Sequence, residues 1–279
     1  MSTPFDSFQP KKAWLVCVDS DGCAMDTMDS KHHQAFCPEL IKTYGLEAYD
    51  DVITPYWMEV NLYSRTRGIN RFKGLAATLR MLAEKGVKVP GAEELCAWVD
   101  QAPKLSNPAL QEAIEAGGGE GLRQALAWSH AVNAAIAAMG DDSRPFPGCR
   151  DALAAIHPQT DTAVVSSANS EAIAEEWTRH GLIDHMDIAL GQDAGTKEAC
   201  LVALSAKGYE PGHVLMVGDA MGDLAAAEHA KALFYPILVG KEEESWKRLV
   251  AEALPRFLNG TYAGEYQEKM LAAQREILK

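Results

Sequence analysis

Near its start the chain carries an unbroken apolar run, AWLVCV at 13–18. It lacks the apolar–polar alternation of a half-exposed strand. It reads instead as a strand buried on both faces, the kind found inside a parallel sheet. Such a strand needs neighbours, and none follows directly. From Met25 to about Arg144 the pattern is helical, rich in Ala, Leu and Glu, with breaks at 89–93 (VPGAE), 104–108 (KLSNP) and 117–119 (GGG). Asn107-Pro108 marks a helix start, and Leu122 to Met139 reads as one long helix ended by Gly140.

After Arg144 the rhythm becomes alternating. Strands are expected at Thr162–Val165, Met186–Leu190, Val214–Val217 and Leu233–Val239. Helices are expected after PFPG (145–148), from Asn169 or Ser170 to about His180, at Thr196–Lys207 and at Leu224–Ala230. Strand–helix alternation gives a parallel sheet covered by helices. The first strand must join that sheet. The expected fold is therefore α/β with a discontinuous core, residues 1–24 plus 145–279, and an all-helical insertion at 25–144. The end of the chain reads as one or two helices with Trp246 and Tyr262 as packing anchors.

Composition narrows the function classes. A chain of 279 residues, 47% apolar and 23% charged, is neither largely disordered nor fibrous. Its net charge of −13 argues against nucleic acid and anionic membrane as partners. No apolar run approaches the ~18–20 residues of a membrane span. The start, MSTPFDSFQPKK, lacks the charged-then-apolar order of a secretory signal. Cysteines at 17, 23, 37, 96, 149 and 200 form no CxxC or zinc-ligand pattern. A reduced, cytoplasmic protein with packed thiols is expected.

Ligands of an open parallel sheet bind beyond the carboxyl ends of its strands. Asp19-Ser20-Asp21-Gly22 follows the first strand, and Ser166-Ser167-Ala168-Asn169 follows the second. Gly195-Thr196-Lys197 opens a later helix, and Gly218-Asp219-Ala220-Met221-Gly222-Asp223 follows the strand at 214–217. Clustered carboxylates repel one another unless a cation sits among them. Oxygen ligands of this kind suit Mg²⁺. A lysine and a hydroxyl beside a helix start suit a phosphate. A carboxylate can attack phosphorus, and a second one can protonate the leaving oxygen. Each element is common by itself as a turn, a helix cap or a solvated lysine. All of them in order at one sheet edge make a site.

These motifs resemble those of the haloacid dehalogenase-like superfamily, chiefly phosphatases. VCVDSDG is similar to its first motif, VVSSAN to its second, Lys197 to its third and VGDAMGD to its fourth. The resemblance covers the core and implies a Rossmann-like sheet with a helical C1 cap in the insertion. It implies Asp19 as nucleophile and Mg²⁺ ligand, and Asp21 as general acid/base touching Mg²⁺ through its backbone carbonyl. It implies Ser166, with Ser167, and Lys197 as the phosphate-holding residues. Asp219 would bind Mg²⁺ directly, and Asp223 would support it through water or orient Lys197. Cys23 departs from the usual Thr or Val, and no proline follows Lys197 within a few residues. The carboxylate at Asp21, absent from the dehalogenase branch, favours phosphoryl transfer. The implied reaction is Mg²⁺-dependent hydrolysis of a small phosphorylated metabolite. The alternatives are a phosphomutase, a phosphonatase using a cap lysine (Lys31 or Lys73), and a non-catalytic phospho-ligand-binding protein.

The insertion is locally basic. Residues 61–90 carry Arg65, Arg67, Arg71, Lys73, Arg80, Lys85 and Lys88 against Glu84 alone. Arg65, Arg67 and Arg71 are candidates for capturing an anionic part of the substrate; a solvated basic face is the other reading. His32 and His33 follow the expected hinge at Asp26-Thr27 and read as helix-start residues. The Ala/Leu/Trp stripe at 122–139 reads as cap core.

Overall fold

The computed structural model describes residues 4–139 and 143–279, so Gly140, expected to end the long helix, lies outside the described residues. The chain divides into two compact units, Met1–Thr27 with Ser143–Lys279, and Met28–Asp142. The first seam falls later than the sequence suggested because Met25 bridges to both Asp21 and Pro145, and Asp26 N donates to Arg144 O at 2.7 Å. These pairings keep residues 25–27 with the sheet.

The first unit is built on five parallel strands: β1 (Leu15–Val18), β2 (Asp161–Val165), β3 (Ile188–Leu190), β4 (Val214–Gly218) and β5 (Leu233–Pro236). Their order is β3-β2-β1-β4-β5. β1 therefore lies at the centre, with Val18 paired to Val164 on one side and to Val217 on the other. Its unbroken apolar run now has its reason. Val16 and Val18 face a cluster containing Trp177, Leu249 and Trp246, whereas Leu15 and Cys17 face one containing Leu201, Leu204 and Leu271. Both faces are covered, so alternation has no use.

Several expected boundaries move: β3 begins at Ile188 rather than Met186, and the helix expected at Thr196–Lys207 spans Lys197–Ser205. The helix expected from Leu224 begins at Met221, because the Asp223 carboxylate reaches back to Ala220 N at 3.0 Å and caps the first turn. β5 ends at Pro236 rather than Val239. The C-terminal part holds the helices Glu242–Arg248, Leu254–Leu258 and Glu265–Ile277, with a wide five-residue-repeat turn at Leu249–Ala253. Trp246 and Tyr262 are fully buried there.

The second unit is all helical among its described residues, with long elements at Arg71–Glu84 and Glu120–Ala138. It has its own core around Trp57, Phe72 and Trp128. The long helix lacks a local side-chain cap. Glu94 supplies one from the helix Ala92–Gln101, accepting Gly121 N at 3.0 Å and also Gly119 N. Gly91 and Gly121 pack backbone to backbone: a Cβ on Gly121 would lie 2.2 Å from Gly91 O. No helix among the described residues is long and apolar enough to cross a membrane. All six cysteines are unbridged, and only Cys96 is less than fully buried.

Candidate active site

The sheet order decides which loops meet. Because β1 lies between β2 and β4, the loop after it is flanked by those carrying Ser166 and Asp219. Asp19 continues the ladder for one more residue, its N–H donating to Val217 O at 3.0 Å. Its Oδ1 accepts from Ser20 N at 2.8 Å, and its Oδ2 lies 2.8 Å from Lys197 Nζ. Gly22 closes the following turn at φ 80°, a left-handed conformation that favours glycine.

Lys197 is the first residue of the helix Lys197–Ser205, whose N-terminus is capped by Thr196 Oγ1 accepting from Ala199 N at 3.2 Å. The cap ends the preceding loop at the sheet edge and points the helix start at the carboxylates. Lys197 Nζ donates to Asp223 Oδ1 at 2.6 Å while it pairs with Asp19. Asp223 divides its oxygens, Oδ1 to Lys197 and Oδ2 to Ala220 N. Room for this comes from Gly218, where a Cβ would sit 2.5 Å from Asp223 Oδ2.

Asp19, Asp219 and Asp223 are all buried, with ligand-capable oxygens within 4.8 Å of one another. Burial pushes the Asp19 carboxyl well above its ordinary range; Lys197 opposes the shift, and Asp223 and Asp219 add to it. Burial alone would lower the Lys197 ammonium, but Asp19 and Asp223 outweigh it and the pKa rises. Lys197 is held protonated. Three crowded carboxylates against one ammonium leave an excess of negative charge, and a hard cation with oxygen ligands fits that donor set. Cys23 offers no competing nucleophile, since burial, then Asp219, Asp19 and Asp223, push its thiol well up.

Asp21 stands apart from this cluster. It is half-buried, and its Oδ1 accepts from Thr27 Oγ1 at 2.5 Å. Ser166 is buried at the end of β2, its Oγ accepting from Ala168 N at 3.2 Å, while Ser167 is exposed. In the second unit Arg65 is exposed. Arg67 is buried and donates from NH1 to Leu62 O at 2.8 Å. Arg71 donates from NH1 to Asn133 Oδ1 at 2.7 Å and Ser129 Oγ at 3.0 Å, and lies 5.2 Å from the centroid of the Phe36 ring. Burial lowers its pKa, and among the described residues no carboxylate pairs with it. His32 is buried and accepts from Trp57 Nε1 at 2.9 Å through Nδ1.

The sequence reading missed three supports. Ser20 and Trp177 were assigned no role from the sequence, yet Trp177 Nε1 donates to Ser20 Oγ at 2.9 Å. Gln274, on the helix Glu265–Ile277, donates to the Asp219 carbonyl at 3.1 Å. The two side chains reach across 157 and 55 residues of sequence, and no local pattern signals such contacts.

The family profile described as haloacid dehalogenase-like hydrolase matches residues 96–235. The chain belongs to the haloacid dehalogenase-like hydrolases. The matched segment carries Ser166, Lys197, Asp219 and Asp223; Asp19 and Asp21 lie before it and join it through the β1 pairings. No curated protein matches this haloacid dehalogenase-like hydrolase in sequence. Among solved structures it is similar to a protein from Lactobacillus delbrueckii subsp. bulgaricus ATCC BAA-365, provisionally named a phosphoglycolate phosphatase. The identity is 16%, the TM-score 0.51, and the match covers 96% of this chain and 99% of that one. A second, from Haemophilus somnus 129PT and named likewise, is 15% identical with a TM-score of 0.50, covering 80% of this chain and 84% of that one. At these identities the likeness is one of fold.

Proposed function

We propose that this hydrolase cleaves a small phosphate monoester through an aspartyl-phosphate on Asp19, with Mg²⁺ as cofactor. Support comes from one arrangement. A buried carboxylate at the end of the central strand is oriented by Ser20 N and paired with Lys197, beside Asp219 and Asp223. An Asp19 oxygen attacks phosphorus as the bond to the leaving alcohol breaks. Asp21 gives that alcohol its proton, then takes one from the water that attacks the aspartyl-phosphate, returning inorganic phosphate and free Asp19. Ser166 and Lys197 hold the phosphoryl oxygens. Asp19, Asp219 and the Asp21 carbonyl would hold Mg²⁺, and Asp223 keeps Lys197 in place. The ion would supply charge neutralisation at the transferring group.

Phosphate release from a panel of monoesters, with Mg²⁺ or with EDTA, tests the reading. Mg²⁺-dependent release is the expected result. Isomerisation of a sugar phosphate without net release makes the protein a mutase instead. Borohydride trapping of a lysine adduct makes it a phosphonatase, and binding without turnover makes it a ligand-binding protein.

A further inference from the structure

The turn after β1 carries both candidate catalytic carboxylates, and Ser20 is its hub. The residue is buried, at 1% exposure, and every polar group it has is engaged. Its N–H holds Asp19 Oδ1 at 2.8 Å. Its carbonyl accepts from Cys23 N at 3.2 Å, Ala24 N at 2.9 Å and Met25 N at 2.9 Å. Its hydroxyl oxygen accepts from Trp177 Nε1 at 2.9 Å. A second indole grips the far side of the same turn, Trp246 Nε1 donating to Cys23 O at 3.1 Å. Both tryptophans are fully buried and face the same side of the sheet as Val16 and Val18. They come from separate helices, Ser170–Arg179 and Glu242–Arg248, neither of which contributes a reacting group.

We propose that Trp177 and Trp246 are positioning residues for the reaction at Asp19, a role that rests on the phosphatase reading above. The bonds to the Ser20 carbonyl close the turn on itself, and the two indoles tie it to the helices packed on that face of the sheet. A nucleophile must keep its place within about 0.5 Å to react efficiently. Two wide, stiff side chains with only two torsions each supply that constraint at low entropic cost. A buried indole N–H must also find an acceptor or incur a desolvation penalty. Both indoles meet that need on the one turn whose position sets the Asp19 carboxylate. Packing alone would be met by any large apolar ring. The two hydrogen bonds tie the rings to the turn's geometry. The helix Glu242–Arg248, which bears Trp246, thereby gains a part in catalysis.

Ser20→Ala and Trp177→Phe remove one hydrogen bond from its two ends, and Trp246→Phe removes the other. Each should lower kcat about tenfold with KM within about twofold, since small misplacements of reacting groups act mainly on turnover. Calorimetric titration with Mg²⁺ should show affinity weakened about threefold or more, because Asp19 is one of its ligands. The double variant Ser20→Ala/Trp177→Phe should be no slower than the slower single variant, as expected for two changes that break one interaction. Lower thermal stability with kcat and Mg²⁺ affinity unchanged in all three single variants would overturn the proposal, leaving the indoles as packing. Full additivity in the double variant would overturn the Ser20–Trp177 link. If the parent protein releases phosphate from no ester while the variants still weaken Mg²⁺ binding, the phosphatase reading fails and the positioning role stands.

Discussion

Asp19→Asn should abolish phosphate release, with a loss on the order of 10⁴-fold or more, while the protein stays folded. The amide keeps the size of the carboxylate and can still accept from Ser20 N, so the turn after β1 keeps its anchor. What disappears is the anionic oxygen that attacks phosphorus, and an amide cannot replace it. The substitution also removes one of three buried carboxylates whose oxygens crowd within 4.8 Å. Thermal stability in the absence of Mg²⁺ should therefore hold or rise. Steady-state phosphate release and thermal unfolding, measured together, check both halves. Retained turnover would place the nucleophile elsewhere. Lost turnover with a collapsed Tm would mean that the residue was needed for folding.

Lys197→Met should be damaging in both respects. Its ammonium lies 2.8 Å from Asp19 and 2.6 Å from Asp223, and the side chain is only 15% exposed. Methionine fills a similar volume but leaves two buried carboxylates facing each other without a cation. Breaking a buried pair from one side costs about 3–5 kcal/mol. For a chain of this size that corresponds to a fall in Tm of roughly 6–20 °C. Activity should fall about 10²–10³-fold, the usual cost of losing one preorganised electrostatic contact to a charge that develops in the transition state. Lys197→Arg restores the charge but not the shape, since a planar fork cannot bridge the same two oxygens as a compact ammonium. It should recover most of the stability and little of the activity. Loss of activity with unchanged stability in Lys197→Met would mean that Asp19 and Asp223 are not both ionised in the resting protein.

The legible parts of this protein were those where physics acts on neighbouring residues. The buried strands showed as apolar runs, the turns as glycine, and the helix starts as Asn169 and Thr196, whose side chains do cap the next helices. The order of acidic and basic loops was legible too, because ligand chemistry requires those residue types just after each strand. Boundaries were less so. Asp223 draws the helix start back to Met221 through a side chain that a periodicity reading treats as merely polar. The cap arginines show a sharper limit. Arg65, Arg67 and Arg71 look equivalent as a basic cluster, yet Arg67 is buried on the Leu62 carbonyl, Arg71 is anchored to Ser129 and Asn133, and Arg65 is exposed.

From the sequence alone came the α/β core split by a helical insertion, and the carboxylates and lysine that converge at one sheet edge. Both follow from local rules: burial on two faces requires continuous apolar strands, and ligands gather beyond strand ends. Tertiary structure alone decided how those groups are held. The Lys197 bridge between Asp19 and Asp223, the Trp177 and Trp246 bonds to one turn, and the Gln274 bond to the Asp219 carbonyl all join residues far apart in sequence. Such contacts depend on which strands lie side by side, and a strand order of β3-β2-β1-β4-β5 leaves no trace in the spacing of residues along the chain.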